Sequence, residues 1–176
     1  MRPALDVRAV HEDDWELWRD LRHRVLATDP DSFGSTLARE QAFTEADWRR
    51  RVGGGPAFVA WADGRPVGMG ALLAEGPGSW SVVAMWVEPA ARGLGIGRRV
   101  LEHLLATVPA EDDVRLWVAD GNRARELYAR VGFRETGEVA PLRPGSSITK
   151  SRMERKGSRT RNVLPRPTSD STRMLP

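Results

Sequence analysis

Val87-Glu88-Pro89-Ala90-Ala91-Arg92-Gly93-Leu94-Gly95-Ile96-Gly97-Arg98-Arg99 decides how the rest of the chain is read. An apolar run, Trp80 to Val87, stops at Glu88-Pro89, and a helical pattern then begins among alternate glycines. The first turn of a helix has free backbone N–H groups and the positive end of the helix dipole. Glycine there lets a phosphate approach the backbone closely, and Arg92 and Arg98 add positive charge nearby. The stretch therefore reads as strand, diphosphate-binding turn, helix. Two better-known glycine motifs do not fit it. Counted from Gly93 and Gly95, a dinucleotide fingerprint needs a third glycine where Arg98 stands, and the Gly-Lys-Ser/Thr of a P-loop is absent. The plain alternative is a glycine-rich helix start that holds no ligand.

Outward from this turn, strand-like and helix-like segments alternate. Downstream, the helix opened by Gly95 has its apolar stripe at Ile96, Val100, Leu104 and Leu105. Val114 to Ala119 reads as a strand. A helix capped by Asn122 or Asp120 runs through Leu127 and Val131 to a stop at Gly132, and Arg134 to Val139 and Ile148 to Glu154 are the last strands. Upstream, Ala57 to Ala62, Pro66 to Ala74 and Trp80 to Val87 form an antiparallel meander, turned at Asp63-Gly64-Arg65 and Gly76-Pro77-Gly78. Before it, Thr44 with Asp47 starts a helix through Trp48 to Val52, ended by Gly53-Gly54-Gly55-Pro56. Earlier still, Asp13 with Glu16 caps a helix in which Leu17, Leu21 and Val25 recur at helical spacing, and Asp6 to Val10 is a short first strand. The order β-α-α-β-β-β-α-β-α-β-β predicts an α/β fold: a mixed, mostly antiparallel twisted sheet flanked by helices on both faces.

The 176 residues suit one domain, and 40% hydrophobic against 29% charged residues allows a core under a soluble exterior. Without cysteine, disulfides, zinc thiolates and thiol nucleophiles are excluded. Met1 to Val10 has no signal-peptide core, and no apolar run reaches the ~20 residues of a membrane span, so a cytoplasmic setting is expected. The net charge of +3 is unevenly spread: Lys150 to Pro176 holds eight basic and two acidic residues, and the rest 19 and 22. The basic excess reads as belonging to a tail rather than to the fold, which argues against a nucleic-acid-binding face. The domain is expected over 1–156. Residues 157–176, rich in Ser, Thr, Arg and Pro, are expected to be a disordered basic tail.

Arg92-x-x-Gly95-x-Gly97, after a strand ending Val-x-Pro, resembles the first signature of the GNAT superfamily of N-acetyltransferases. Leu127-Tyr128-x-x-x-Gly132-Phe133 resembles the second. The likeness extends from about Asp6 to Glu154. It implies that acetyl-CoA is the co-substrate; from the residue types and spacing, no metal is expected. The likeness further implies that the amides of Gly93, Leu94, Gly95, Ile96, Gly97 and Arg98 hold the pyrophosphate, with the Arg92 charge beside them, and that the backbone of Met85, Trp86 and Val87 pairs with the pantetheine arm as an added strand. Tyr128, the only tyrosine, takes the family's place for the acid that protonates the departing thiolate. A phenol near pKa ~10 suits a thiolate near ~8.5; the bland reading is a packed ring with a satisfied hydroxyl. The family's cofactor-contacting Asn would fall at Gly121, so Asn122 either takes that role through a shifted loop or caps the helix.

The family's usual base, a Glu or His on the strand before the turn, has no counterpart between Ser79 and Val87. Glu40, Glu75 and Glu88 stand nearest, and each reads better as a solvated surface charge; a water relay or a low-pKa amine is the alternative. His11, His23 and His103 lack metal-ligand spacing, and His103 complements its helix C-terminus. The loops Ser32-Phe33-Gly34-Ser35-Thr36 and Arg143-Pro144-Gly145-Ser146-Ser147 are expected around the acceptor, a small-molecule or peptide amine, with a homodimer left open. Two other readings stand beside the enzyme: a catalytically impaired acyl-CoA-binding module, and a nucleic-acid binder acting through the tail.

Overall fold

In the computed structural model, residues 4–158 are described. Seven strands form one sheet in the order β1-β2-β3-β4-β5-β7-β6: β1 (Leu5–Ala9), β2 (Ala57–Ala62), β3 (Arg65–Gly76), β4 (Ser79–Val87), β5 (Asp113–Ala119), β6 (Arg134–Pro141) and β7 (Thr149–Arg155). Five helices accompany them: α1 (Trp15–Thr28), α2 (Leu37–Gln41), α3 (Glu45–Gly53), α4 (Ile96–Ala106) and α5 (Ala124–Arg130). Every strand pair is antiparallel except β4 with β5. The expected fold class, element order and meander are therefore observed. Of the α-helices the sequence pattern lacked only α2, a five-residue helix whose Arg39 N–H donates to the Thr36 hydroxyl at 3.2 Å.

The helices divide between the two faces. On one, α4 buries Ile96, Val100, Leu101 and Leu104, and α5 contributes Tyr128, against Leu72, Val82, Leu116 and Met153. On the other, α1 and α3 bury Trp18, Leu21, Val25, Trp48 and Val52 against Val59, Met69 and Trp86. At α3 the Thr44–Asp47 capping box forms as expected: Thr44 N–H donates to Asp47 Oδ2 (2.9 Å) and Asp47 N–H to Thr44 Oγ1 (3.3 Å). The cap of α1 differs from expectation. A single turn of 3-10 helix, Glu12–Asp14, precedes it, and the reciprocal side-chain contact is made by Asp14, whose Oδ2 accepts from His11 N–H at 2.8 Å. Asp13 instead pairs with Arg49 of α3 (3.0 Å). The extra turn moves the helix start past the residue that the spacing had picked.

The charge division also needs correcting. Lys150, Arg152 and Arg155 lie on β7 and Lys156 directly follows it, so three of the eight basic residues assigned to a tail belong to the folded sheet and a fourth adjoins it. The chain stays docked slightly beyond 156: Gly157 N–H donates to Asp113 Oδ1 (3.0 Å) and Ser158 N–H to Ala110 O (2.7 Å). The expectation of a disordered segment otherwise lies outside the described residues.

Candidate active site

The site begins where β4 and β5 part. They pair in register from Ser79↔Asp113 to Val82↔Leu116 and no further, although β4 continues to Val87 and β5 to Ala119. The cause is local. Opposite β3, Met69 pairs with Trp86 and Ala71 with Val83, so β4 spends one extra residue over that interval. Ala84 takes φ +56° there, a left-handed conformation that costs a non-glycine residue about 1–2 kcal/mol. A bulge of this kind bends the strand and strengthens its twist. Gly70 makes room for it from β3, since a Cβ there would lie 2.5 Å from Met85 Sδ and 2.9 Å from Val100 Cγ1. From Val83 to Val87 the β5-facing side of β4 is thus free of strand pairing.

Beyond Val87 the chain makes the glycine turn. Gly93 (φ +83°) and Gly95 (φ +78°) are left-handed, and a Cβ on either would meet nothing within 4 Å. The space before the α4 N-terminus is open, and both conformations favour glycine. Gly97 is different in kind: a Cβ there would lie 3.3 Å from Leu127 Cδ2 and 3.4 Å from Val87 Cγ2. It is small so that α4, α5 and β4 can close together. Arg92 is likewise turned to a structural task, donating to Val87 O (3.0 Å) and Asp29 Oδ2 (2.7 Å). Trp86 Nε1 donates to the same Asp29 oxygen (2.7 Å), so the end of α1 is tied to the end of β4. Arg98 pairs with Glu102 one turn on (2.7 Å). Leu94 is well exposed and Ile96 buried beneath the turn.

A cavity of about 350 Å³ opens at the parting of the strands. Val82 to Met85 of β4 line one wall, Trp117 to Ala119 of β5 another, with Tyr128 and Asn122 at the α5 end. Tyr128 is 5% exposed and packs edge-on against Phe133 at 5.9 Å between ring centres. Burial pushes its phenol well above the ordinary value, so the proton stays on at working pH. Asn122 Oδ1 accepts from Ala124 N–H (2.9 Å), which is the capping role; it also lines the cavity. The alternative cap, Asp120, is engaged elsewhere, by Thr149, Ser151 and Arg125.

At the opposite end only the first of the two expected loops lines the cavity; none of residues 143–147 does. Ser32, Phe33 and Gly34 line it, as does Leu142 just before the second loop. Arg143 Nη1 donates to Pro30 O and Phe33 O, each at 3.0 Å, and locks the loops together. Beside them Arg22 and Arg51 enter the wall. Glu40 corrects the sequence reading: it is no solvated charge but fully buried, gripped by Arg22 Nε (3.0 Å) and Nη2 (3.1 Å), with Arg51 Nη2 at 3.5 Å. Glu75 pairs with Arg152 (3.3 Å) and Arg115 (3.7 Å), and neither it nor Glu88 is among the lining residues. No carboxylate or imidazole lines the cavity among the described residues. His103 Nδ1 lies 2.7 Å from Arg99 O, near the end of its helix. Among the described residues no group of three metal-ligating side chains exists, and no helix is long and apolar enough to cross a membrane.

Residues 9–133 match the model of the acetyltransferase (GNAT) family. The chain belongs to the GNAT family of acetyltransferases. It is 29% identical over 148 residues to the Probable N-acetyltransferase Rv2775 of Mycobacterium tuberculosis, covering 81% of this chain and 80% of that protein. Over 101 residues, 56% of this chain, it is 37% identical to mycothiol acetyltransferase of Clavibacter michiganensis subsp. michiganensis, of whose length the match spans 31%. Among solved structures, yncA of Salmonella typhimurium with its cofactor acetyl-CoA aligns at a TM-score of 0.65 and 16% identity, covering 89% of this chain and 95% of that one. At that identity the likeness shows the GNAT fold. The family match makes this chain an acyltransferase of the N-acetyltransferase class, and GNAT enzymes draw on acetyl-CoA.

Proposed function

We propose that this GNAT enzyme moves the acetyl group of acetyl-CoA to a primary amine by direct attack inside the cavity where β4 and β5 part. One observation carries the reading: β4 loses its β5 partner at Val83, and the same strand runs directly into an open glycine turn at a helix N-terminus. An extended amide chain fits backbone groups left without a strand partner at Met85, Trp86 and Val87. A diphosphate fits the open N–H groups from Gly93 to Arg98. Bound there, acetyl-CoA supplies an activated acyl group at the cavity. Asn122, its Oδ1 used in capping, keeps its NH₂ as a donor toward the cofactor.

The chain's own residues then divide the proton work. Tyr128 sits on the cavity wall with a phenol that burial keeps protonated, and it donates to the sulfur as charge gathers there. The same burial widens the gap between this acid and a thiol near pKa ~8.5, which places its contribution low in the range for a positioned acid. With no base in the wall, the amine's proton goes to water. The rate should therefore rise with pH through the acceptor amine's own pKa and show no separate step from an enzyme carboxylate or histidine; a pH profile between 6 and 10 on two amines of different pKa checks this.

That missing base also favours a second reading, an acyl-CoA-binding module with impaired catalysis. Release of coenzyme A thiol, followed with an amine panel, separates the two. Cytoplasmic placement belongs to the same proposal, and a small-molecule acceptor suits a cavity of about 350 Å³ better than a nucleic acid.

A further inference from the structure

Three charged residues line the cavity, Arg22, Arg51 and Lys150, all positive, and Arg22 and Arg51 share one end with Phe33 and Glu40. The nearest acid, Glu40, stands behind the wall and is shared by two guanidinium groups. The cluster of Arg22, Glu40 and Arg51 therefore keeps a formal charge of +1. Arg22 is 6% exposed, and Glu40 takes its Nε and Nη2. The remaining nitrogen, Nη1, is buried with no hydrogen-bond partner. A buried donor without a protein acceptor is costly, above all on a charged group. Phe33 packs on the face of the same guanidinium, 4.8 Å from ring centre to Cζ, so the group is fixed by its stack and its fork. Arg51 is half-exposed and reaches Glu40 only at 3.5 Å; burial lowers its pKa, partly offset by Glu40. On the β5 side Lys150 sits 4.9 Å over the Trp117 ring. Such a surface repels polycations and lacks one partner, an anion of planar shape.

Resting on the acetyltransferase reading above, we propose that the acceptor is a small molecule carrying a carboxylate beside its amine, and that Arg22 and Arg51 hold that carboxylate. Docked on this end, the acceptor points its amine along the cavity toward the β4–β5 gap and Tyr128. Amino acids and other amino-carboxylates have this chemistry; aminoglycoside-like polyamines do not.

The test uses the full chain with acetyl-CoA and two equimolar pools in competition: the twenty L-amino acids and their carboxamides, with products read by mass spectrometry. A third reaction uses simple alkylamines. The proposal expects at least one amino acid to be acetylated more than about 10-fold faster than its carboxamide, since a charge-assisted contact distinguishes them. Arg51→Gln should remove about 10- to 100-fold of that preference, through KM with kcat nearly unchanged. Arg51 is the variant of choice because it is half-exposed, whereas loss of Arg22 leaves Glu40 buried with only a distant partner. Carboxamides acetylated as fast as the acids overturn the proposal. A preference that survives both Arg51→Gln and Arg22→Lys overturns the assignment to these residues. If alkylamines react and neither pool does, the acceptor assignment falls while the transferase reading stands; if no amine releases thiol, the transferase reading falls and takes the proposal with it.

Discussion

Gly95 and Gly97 look equivalent in Gly-x-Gly, yet they answer to different forces. Gly95 is left-handed with open space before it, whereas Gly97 is crowded by Leu127 and Val87. Gly95→Val should therefore weaken acetyl-CoA binding at least tenfold, with about 1–2 kcal/mol of backbone strain. Gly97→Val should mainly cost stability, about 1–3 kcal/mol by overpacking. Calorimetry and thermal melts on both variants separate the two effects. Tyr128→Phe keeps the ring against Phe133 and removes the proton. It should lower kcat by about 10²-fold with acetyl-CoA affinity retained; an equal fall in affinity would make the residue a cofactor contact instead. These positions were legible because signature spacing marks them. Glu40 was not, since the Arg22 that buries it lies eighteen residues away and a lone Glu in a polar stretch carries no sign of its partner. The task of Arg92 was hidden likewise, because Asp29 meets it only through the packing of α1 on β4.

Strands and long helices could be read from period and punctuation, and their ends fell within a residue or two of the observed ones. The five-residue α2 could not, because so short a helix is held by its Thr36 cap and by packing rather than by propensity. The parting of β4 from β5 was invisible for a related reason: a bulge at Ala84 needs the room that Gly70 leaves across the sheet, which the residues of β4 do not announce. Gly70→Ala should expose that dependence. Its Cβ would press on Met85, Val100 and Leu104, and a loss of about 1–3 kcal/mol in chemical denaturation is expected, together with weaker acetyl-CoA binding as α4 shifts. Acid provides another element-scale test. The Thr44 N–H beside Asp47 and the Thr149 hydroxyl beside Asp120 hold these carboxylates below their ordinary 3.8. Their folded pKa values are depressed, so their stabilisation is full above 3.8 and is lost as pH falls through the lower folded values. The melting temperature should hold from pH 7 to about 5 and drop below about 4, and Asp120→Asn should flatten that drop.

Across the whole molecule, two helical layers hold a sheet whose one parallel pair parts at the centre; β4 runs from that opening into the glycine turn, and Ser32, Phe33 and Gly34 line the cavity beside it. Fold class and family could be read from element order and the two signatures; the positive lining of the cavity could not, because its charges come from α1, α3 and β7, far apart in the chain. The C-terminal segment beyond Ser158 has few large apolar residues to dock. Its removal after Ser158, which keeps the Asp113 and Ala110 contacts, should leave melting temperature and acetyl-CoA affinity nearly unchanged. The most direct test of acetyl transfer at the β4–β5 gap is coenzyme A thiol release by the full chain, mixed with acetyl-CoA and an amine panel. Saturable, amine-dependent release is predicted, with a raised KM for acetyl-CoA in Gly95→Val and a lowered kcat in Tyr128→Phe. Tight acetyl-CoA binding with no release above hydrolysis, whichever amine is supplied, would contradict it.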